Sequence, residues 1–133
     1  MEEQQYGAGI WHFATYVDRY ATDGYGEPRS VLDAIELAGK VQDLSVVDIN
    51  YPYFGGNFTH EDIKVAVDKA GLGVIGITPE IYTREFRKGA FTNPDSGIRR
   101  RAHELITESC EAVRFFNASY VKLWPGQDGW DYP

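Results

Sequence analysis

Side chains able to carry chemistry occur at four places along the chain, each at the end of an apolar run. They are Trp11 with His12, Asp48 with Asn50, Glu80, and Lys122 with Trp124. Carboxylates, histidine and lysine can move protons or stabilise a developing charge, and the flat face of tryptophan can stack on the apolar face of a ligand. Together these residue types predict a site for a small polar ligand.

His12 is the candidate proton carrier among the three histidines, because histidine titrates near neutral pH without help from its surroundings. The residues beside it offer neither a carboxylate nor a second metal ligand, so a purely structural hydrogen bond remains an equal alternative. His60 and His103 fall at helix starts or on helix surfaces, where we expect both to be solvated. The pair His60-Glu61 lacks the second histidine of a zinc-protease helix.

The charged residues at the ends of the second and fourth apolar runs allow two interpretations. Period-2 alternation places Asp48 and Asn50 on one face of a strand, and Lys122 and Trp124 on one face of another. Either Asp48 and Lys122 form an internal ion pair, or at least one of them faces a substrate. Trp11 and Trp124 present a similar choice between an apolar wall for a ligand and ordinary core.

The elements that must position these residues alternate between strand and helix periodicity. Capping boxes beginning at Ser30 and Thr59 predict the first two helices, and the third is expected to run from Pro94-Asp95 to Asn117. The predicted strands are 6–13, 44–51, 73–78 and 119–124. The residues expected to face the core from the three helices are Leu32, Ile35, Ala38 and Val41, then Ile63, Ala66, Val67 and Ala70, then Ile98, Ala102, Leu105, Ile106, Cys110 and Val113.

This alternation predicts an α/β fold of parallel βα repeats, equivalent to the first four strands of a (β/α)8 TIM barrel, with residues 1–133 as one domain. Each unit takes roughly 30 to 45 residues, close to the repeat length of such barrels. The loops after the strand C-termini build the site in these folds, and the candidate residues fall there. The pattern stops after the fourth strand, so we expect the front half of a longer protein.

Composition and charge exclude several classes of protein. The 133 residues are 43% hydrophobic and 25% charged, as in an ordinary globular domain. Thirteen Lys and Arg against twenty Asp and Glu leave a net charge of -7, which disfavours nucleic-acid binding. A single cysteine, Cys110, cannot form an internal disulfide. With no long apolar run and an acidic N-terminus, we expect a cytosolic protein that neither spans nor binds a membrane.

Three sequence motifs resemble those of the xylose isomerase-like TIM-barrel superfamily of sugar isomerases and epimerases. They are Gly9-Ile-Trp-His-Phe13, Thr92-Asn-Pro-Asp95 with the following Ile98-Arg-Arg100, and Leu123-Trp-Pro-Gly-Gln-Asp-Gly-Trp-Asp-Tyr-Pro133. The likeness covers nearly the whole chain, and the last motif is the most specific. Related barrels often carry Glu-x-His near the end of the second strand. This chain has Asp48-x-Asn50 there, and asparagine cannot act as a base.

The resemblance implies an intramolecular isomerase that interconverts an aldose and a ketose, or epimerises a ketose, in a full-length (β/α)8 barrel. A divalent metal such as Mn, Mg or Co is implied, with its ligands on later strands and none in this segment, so we expect the isolated chain to be inactive. The predicted catalytic residues are His12, Asp48 and Lys122, and the predicted substrate-binding residues are Trp11, Asn50, Glu80 and Trp124.

The expected partners are a monosaccharide or sugar derivative and either a second copy of the chain or the missing C-terminal half. Two alternatives to the enzyme remain. One is a non-catalytic half-barrel that binds carbohydrate or serves assembly. The other is a relative that repairs abasic DNA, which the acidic charge disfavours.

Overall fold

A computed structural model of the chain describes residues 4–18, 20–21 and 24–125. In this part the strands form one parallel sheet in the order β1-β2-β3-β4. A helix follows each of the first three strands, so the predicted α/β arrangement of a half-barrel is confirmed. The strands are β1 (Tyr6–Gly9), β2 (Leu44–Tyr51), β3 (Gly73–Pro79) and β4 (Tyr120–Val121), and the helices are α1 (Val31–Ala38), α2 (His60–Ala70) and α3 (Ser96–Phe116).

The helix ends follow from local side-chain chemistry. Ser30 accepts a hydrogen bond from the backbone of Asp33, whose carboxylate bonds back to the backbone N–H of Ser30 at 2.8 Å. The same capping box precedes α2. Gly71 and Asn117 end α2 and α3 in the left-handed conformation, with φ of 71° and 52°. The predicted helix starts and the predicted end of α3 at Asn117 are therefore confirmed.

The main core lies between the helices and one face of the sheet. Val47, Ile49 and Ile77 are fully buried on this face and pack with apolar residues of α1 and α2. A second, smaller cluster joins the segment after β3 to α3, and it contains Ile81, Phe86, Ala90, Ala102 and Leu105. The second cluster matters for function because it holds the loop that follows β3.

The first and fourth strands are shorter than predicted. β1 ends at Gly9, and Ile10–Phe13 form a 3-10 turn that buries Ile10 and leaves Trp11 and His12 exposed. β4 ends at Val121, although the backbone N–H of Lys122 still donates to the carbonyl of Ile77 at 2.9 Å. Among the described strands, β1 and β4 each have one neighbour, so fewer pairing partners hold their ends in extended conformation.

The buried faces of the helices also differ in detail from the prediction. α1 ends at Ala38, so Val41 lies beyond the helix and is 46% exposed. In α3 the fully buried stripe is Ala102, Leu105, Ser109 and Ala112, while Ile98, Ile106, Cys110 and Val113 are only partly buried. The stripe is rotated because α3 packs on the sheet and also on the segment after β3. None of the helices in the described ranges is long and apolar enough to cross a membrane.

Gly76 is required by the close approach of an aromatic ring. It pairs with Tyr120 across β3 and β4, and a Cβ at this position would lie 2.1 Å from the Tyr120 ring. We expect Gly76→Ala to lower the free energy of unfolding by about 1–3 kcal/mol, the usual cost of overpacking. Urea denaturation followed by circular dichroism measures this.

Gly26→Ala is the matched control, because a Cβ on Gly26 meets no atom within 4 Å. We expect its free energy of unfolding to stay within about 0.5 kcal/mol of the parent value. Equal stability of the two variants would show that Tyr120 does not occupy the space over Gly76.

Candidate functional site

The candidate site lies on the sheet face opposite the helices and is centred on Asp48. Strand pairing aligns Gly9, Asp48, Gly76 and Tyr120 in one row across the sheet. The two glycines leave space on either side of Asp48, and aromatic rings fill it. The Trp11 ring covers Gly9, where a Cβ would lie 2.0 Å from it. The Tyr120 ring covers Gly76 in the same way. Asp48 is consequently only 4% exposed, although it lies on the face opposite the helices.

The carboxylate of Asp48 is paired at both oxygens. Its Oδ1 accepts a hydrogen bond from the hydroxyl of Thr78 at 2.6 Å. Its Oδ2 accepts one from the phenol of Tyr120 at 3.1 Å and lies 3.0 Å from Nζ of Lys122. Burial and, to a lesser extent, the negative charge of Asp48 raise the pKa of Tyr120. The phenol therefore remains a donor at neutral pH. The internal ion pair between Asp48 and Lys122 is thus present.

Lys122 is held on two sides while part of its side chain faces solvent. Its ammonium group lies 4.2 Å from the centroid of the Trp11 ring, a cation–π arrangement, as well as against Asp48. Its side chain is nevertheless 42% exposed. A positive charge is therefore fixed in position at the strand ends and remains accessible to a ligand.

An adjoining groove of about 500 Å³ begins at this ammonium group. Trp11 and Trp124 are 38% and 60% exposed, so neither is ordinary core. The ring of Trp124 lies beside that of Tyr82, with centroids 5.0 Å apart. The side chains lining the groove are Trp11, Thr78, Tyr82, Lys122, Leu123 and Trp124.

Tyr82 is a groove residue that the sequence analysis missed. Asn50, buried at the end of β2, donates from Nδ2 to the phenolic oxygen of Tyr82 at 2.8 Å. Burial is the main cause that raises the pKa of Tyr82 to about 12. The sequence does contain a signal for Tyr82, because it lies two residues after Glu80 in the loop that follows a predicted strand.

Glu80 lies at the end of β3 but is not among the side chains lining the groove. Its backbone N–H donates to the carbonyl of Tyr51 at 2.8 Å, which continues the pairing of β2 with β3. Burial raises the pKa of its carboxyl group, and no hydrogen bond to that group is formed by the part of the chain that the structure describes. Asn50 likewise meets the groove only through Tyr82.

His12 lies at the site's edge, and the other two histidines lie outside the site. The exposed imidazole of His12 is 5.8 Å from the Trp11 ring, centroid to centroid, and is not among the groove-lining side chains. His103 is exposed, as expected, beside Phe91. The expectation for His60 is wrong, because it is half-buried with its Nδ1 2.7 Å from the phenol of Tyr53. Rings that pack around His60 explain its burial, namely those of Tyr51, Phe115 and Phe116.

The described residues do not fit a divalent metal site. Residues 4–18, 20–21 and 24–125 contain no group of three or more His, Cys, Asp or Glu side chains placed to hold an ion. The two oxygens of Asp48 already face Thr78, Tyr120 and the Lys122 ammonium, whose positive charge would repel a metal. Residues 126–133, which complete the most specific motif, lie outside the described residues.

The partly buried carboxyl of Glu80 predicts a pH-dependent stability. Because its pKa is raised by folding, its contribution to stability is present at low pH and is lost as the pH rises through the folded-state pKa. We therefore expect Glu80→Gln to be more stable than the parent at neutral pH, with the difference vanishing below the ordinary carboxyl range. Thermal melts from about pH 3 to 8 test this on both sides of the ordinary glutamate pKa.

The control is Glu27→Gln, since Glu27 is exposed. We expect the stability difference between this variant and the parent to be independent of pH over the same range. A Glu80→Gln difference that also stays constant with pH would contradict the burial of the Glu80 carboxyl.

Comparison with known proteins finds distant relatives of the chain. No protein-family profile matches the chain. The xylose isomerase of Thermus thermophilus is 25% identical over 146 residues, covering 96% of this chain and 35% of that protein. A probable sugar isomerase of Mesorhizobium japonicum is 25% identical over 134 residues, covering 92% of this chain and 30% of that protein.

The chain therefore spans about a third of the length of the curated relatives it matches. The similarity extends over nearly all of the chain, and the parallel βα sheet with polar side chains at its strand ends agrees with it. At 25% identity over most of the chain, these relatives support a likeness to the xylose isomerase-like superfamily.

Proposed function

We propose that the chain forms the front half of a sugar isomerase or epimerase barrel and binds a monosaccharide or sugar derivative in the groove beside Lys122. The observation that carries this proposal is the fixed, accessible ammonium group of Lys122 between Asp48 and Trp11, next to an aromatic-walled groove. The names of the relatives support the sugar isomerase class.

The groove combines the two kinds of contact that a sugar needs. The C–H face of a sugar ring is apolar and packs against aromatic rings, which Trp11 and Trp124 supply. Its hydroxyl groups need hydrogen-bonding partners, and Lys122 and Thr78 lie on the lining. The Thr78 hydroxyl donates to Asp48 and Thr78 is only 2% exposed, so Lys122 is the better placed of the two to bond a ligand.

Isomerisation or epimerisation of a sugar develops negative charge on an oxygen as a hydrogen is moved at the adjacent carbon. A preorganised cation stabilises that charge, and Lys122 is the cation in the groove. Asp48 serves as a positioning residue in this proposal, because three donors occupy its oxygens. His12 is the proposed proton carrier at the edge of the site.

The resemblance also implies a divalent ion such as Mn, Mg or Co, which would polarise the substrate oxygens. Its ligands would come from later strands, since the described residues contain no group of three or more His, Cys, Asp or Glu placed to hold an ion. The residues named here would then bind and orient the sugar and place one positive charge beside it.

A non-catalytic carbohydrate-binding or assembly module is the second candidate. One observation favours it: the groove lining in the described chain contains no carboxylate, because Asp48 is covered and Glu80 lies outside the groove. Sugar binding by the full-length protein without turnover would support this module over the enzyme.

Replacing Lys122 tests the proposed charge stabilisation. Lys122→Met keeps most of the apolar stem and removes the ammonium group. In the full-length protein we expect kcat for aldose–ketose conversion to fall by about 10² to 10³, the usual cost of losing one stabilising donor. Trp124→Ala should impair turnover mainly through KM, because it removes a wall of the groove.

Two control variants accompany this assay. Lys40→Met removes an exposed lysine that pairs with Glu36 on α1, and His60→Ala removes the imidazole packed against Tyr53. Both should retain kcat within a few-fold of the parent in the folded protein. Equal losses in kcat for Lys122→Met and Lys40→Met would refute the role of Lys122.

The edges of the sheet carry a proposal about assembly. Within the described chain β1 and β4 each pair on one side only, which leaves backbone N–H and C=O groups for another strand. We expect the 133-residue chain to self-associate at micromolar concentration, or to bind a separately produced C-terminal half of the protein. Light scattering measures the mass of the particle in both cases. A chain that stays monomeric and does not bind the C-terminal half would contradict the proposal.

A further inference from the structure

The hydrogen bond between Asn50 and Tyr82 restricts what the phenol of Tyr82 can do. Asn50 is 3% exposed and donates from Nδ2 to the phenolic oxygen at 2.8 Å. A phenol has a single hydrogen to donate, and its oxygen is here already an acceptor. The hydroxyl hydrogen must therefore point away from Asn50.

No side chain or carbonyl in the described ranges accepts that hydrogen. The pKa of Tyr82, raised to about 12, keeps the phenol protonated at neutral pH. Tyr82 thus carries a donor that is oriented by a buried amide and has no acceptor among the described residues.

The position of Tyr82 makes this donor relevant to the groove. Its side chain lines the groove, and its ring lies 5.0 Å from that of Trp124. The preceding residue, Ile81, is fully buried in the second core cluster with Phe86. The loop that carries Tyr82 is therefore anchored, and the Tyr82 side chain is a fixed part of the lining.

We propose that Tyr82, oriented by Asn50, is a specificity-determining hydrogen-bond donor to one oxygen of the sugar bound in the groove. This inference rests on the proposed function, because it assumes a sugar as the ligand. A site built to bond a particular hydroxyl discriminates against the analogue that lacks it, since the donor is then left unpaired. Tyr82 selects among sugars in this way, whereas Trp11 and Trp124 contact any sugar ring.

Binding of deoxy sugars to the Tyr82→Phe variant tests the proposal. The probes are D-xylose, D-fructose and D-glucose with their monodeoxy analogues, and affinity is read from tryptophan fluorescence or calorimetry. For the sugar that binds, we expect one deoxy analogue to bind the parent protein roughly 2- to 12-fold more weakly, the value of one hydrogen bond. In Tyr82→Phe the intact sugar should lose the same factor, so that it and this analogue bind equally.

Tyr25→Phe is the matched control, because Tyr25 is exposed and its phenol bonds Asp18 away from the groove. It should leave every affinity unchanged. Asn50→Asp, measured at about pH 8 where a carboxylate is ionised, supplies an acceptor for the phenolic hydrogen and turns it away from the groove. We expect this variant to lose the same discrimination while keeping the Tyr82 hydroxyl, with circular dichroism confirming that it is folded.

The outcomes separate this inference from the proposed function. If the parent protein binds none of the sugars, the sugar groove is wrong, and the role of Tyr82 is wrong with it. If the parent binds a sugar and Tyr82→Phe discriminates among the deoxy analogues as the parent does, the groove stands and Tyr82 is not the donor. Loss of discrimination in Tyr82→Phe alone, with Tyr25→Phe unchanged, supports the inference even where Asn50→Asp does not fold.

Discussion

The carboxylate of Asp48 lies buried on the sheet face opposite the helices, and a buried charge is costly unless it is paired. Thr78, Tyr120 and Lys122 supply its partners from β3 and the end of β4. The pairing also fixes the lysine, because the Asp48 carboxylate holds the Lys122 ammonium at one position beside the strand ends. Among the described residues Lys122 is the one cation on the groove lining, and its position is thus set by the pairing of a buried carboxylate in the sheet.

Glycines on the neighbouring strands provide the space around the Asp48 carboxylate. Gly9 and Gly76 flank Asp48, and the rings of Trp11 and Tyr120 occupy the volume above them. These rings keep water from Asp48, and Trp11 also forms one wall of the groove. The opposite part of the groove has a separate origin, since the loop after β3 is anchored by its own small core. Strand pairing and loop packing therefore control different parts of the candidate site.

Much of the fold could be predicted because its signals are local. The capping box at Ser30, the left-handed ends at Gly71 and Asn117, and the β-branched run of β2 each depend on residues within a few positions. The ends of β1 and β4 could not be predicted in the same way, because they depend on which strand lies alongside. His60 is similar, since the rings that bury it come from α3, from the last residue of β2 and from the loop that follows.

By itself the sequence determined the α/β order of the elements and placed candidate residues at the strand ends, since periodicity and capping act over a few positions. It left open whether Asp48 and Lys122 pair, because the two are far apart in the chain and only the alignment of β2, β3 and β4 brings them to 3.0 Å. The tertiary structure also decided the role of Asn50, whose amide meets Tyr82 through a loop anchored elsewhere. Contacts between distant segments depend on tertiary packing, and the local periodicity of the sequence does not predict them.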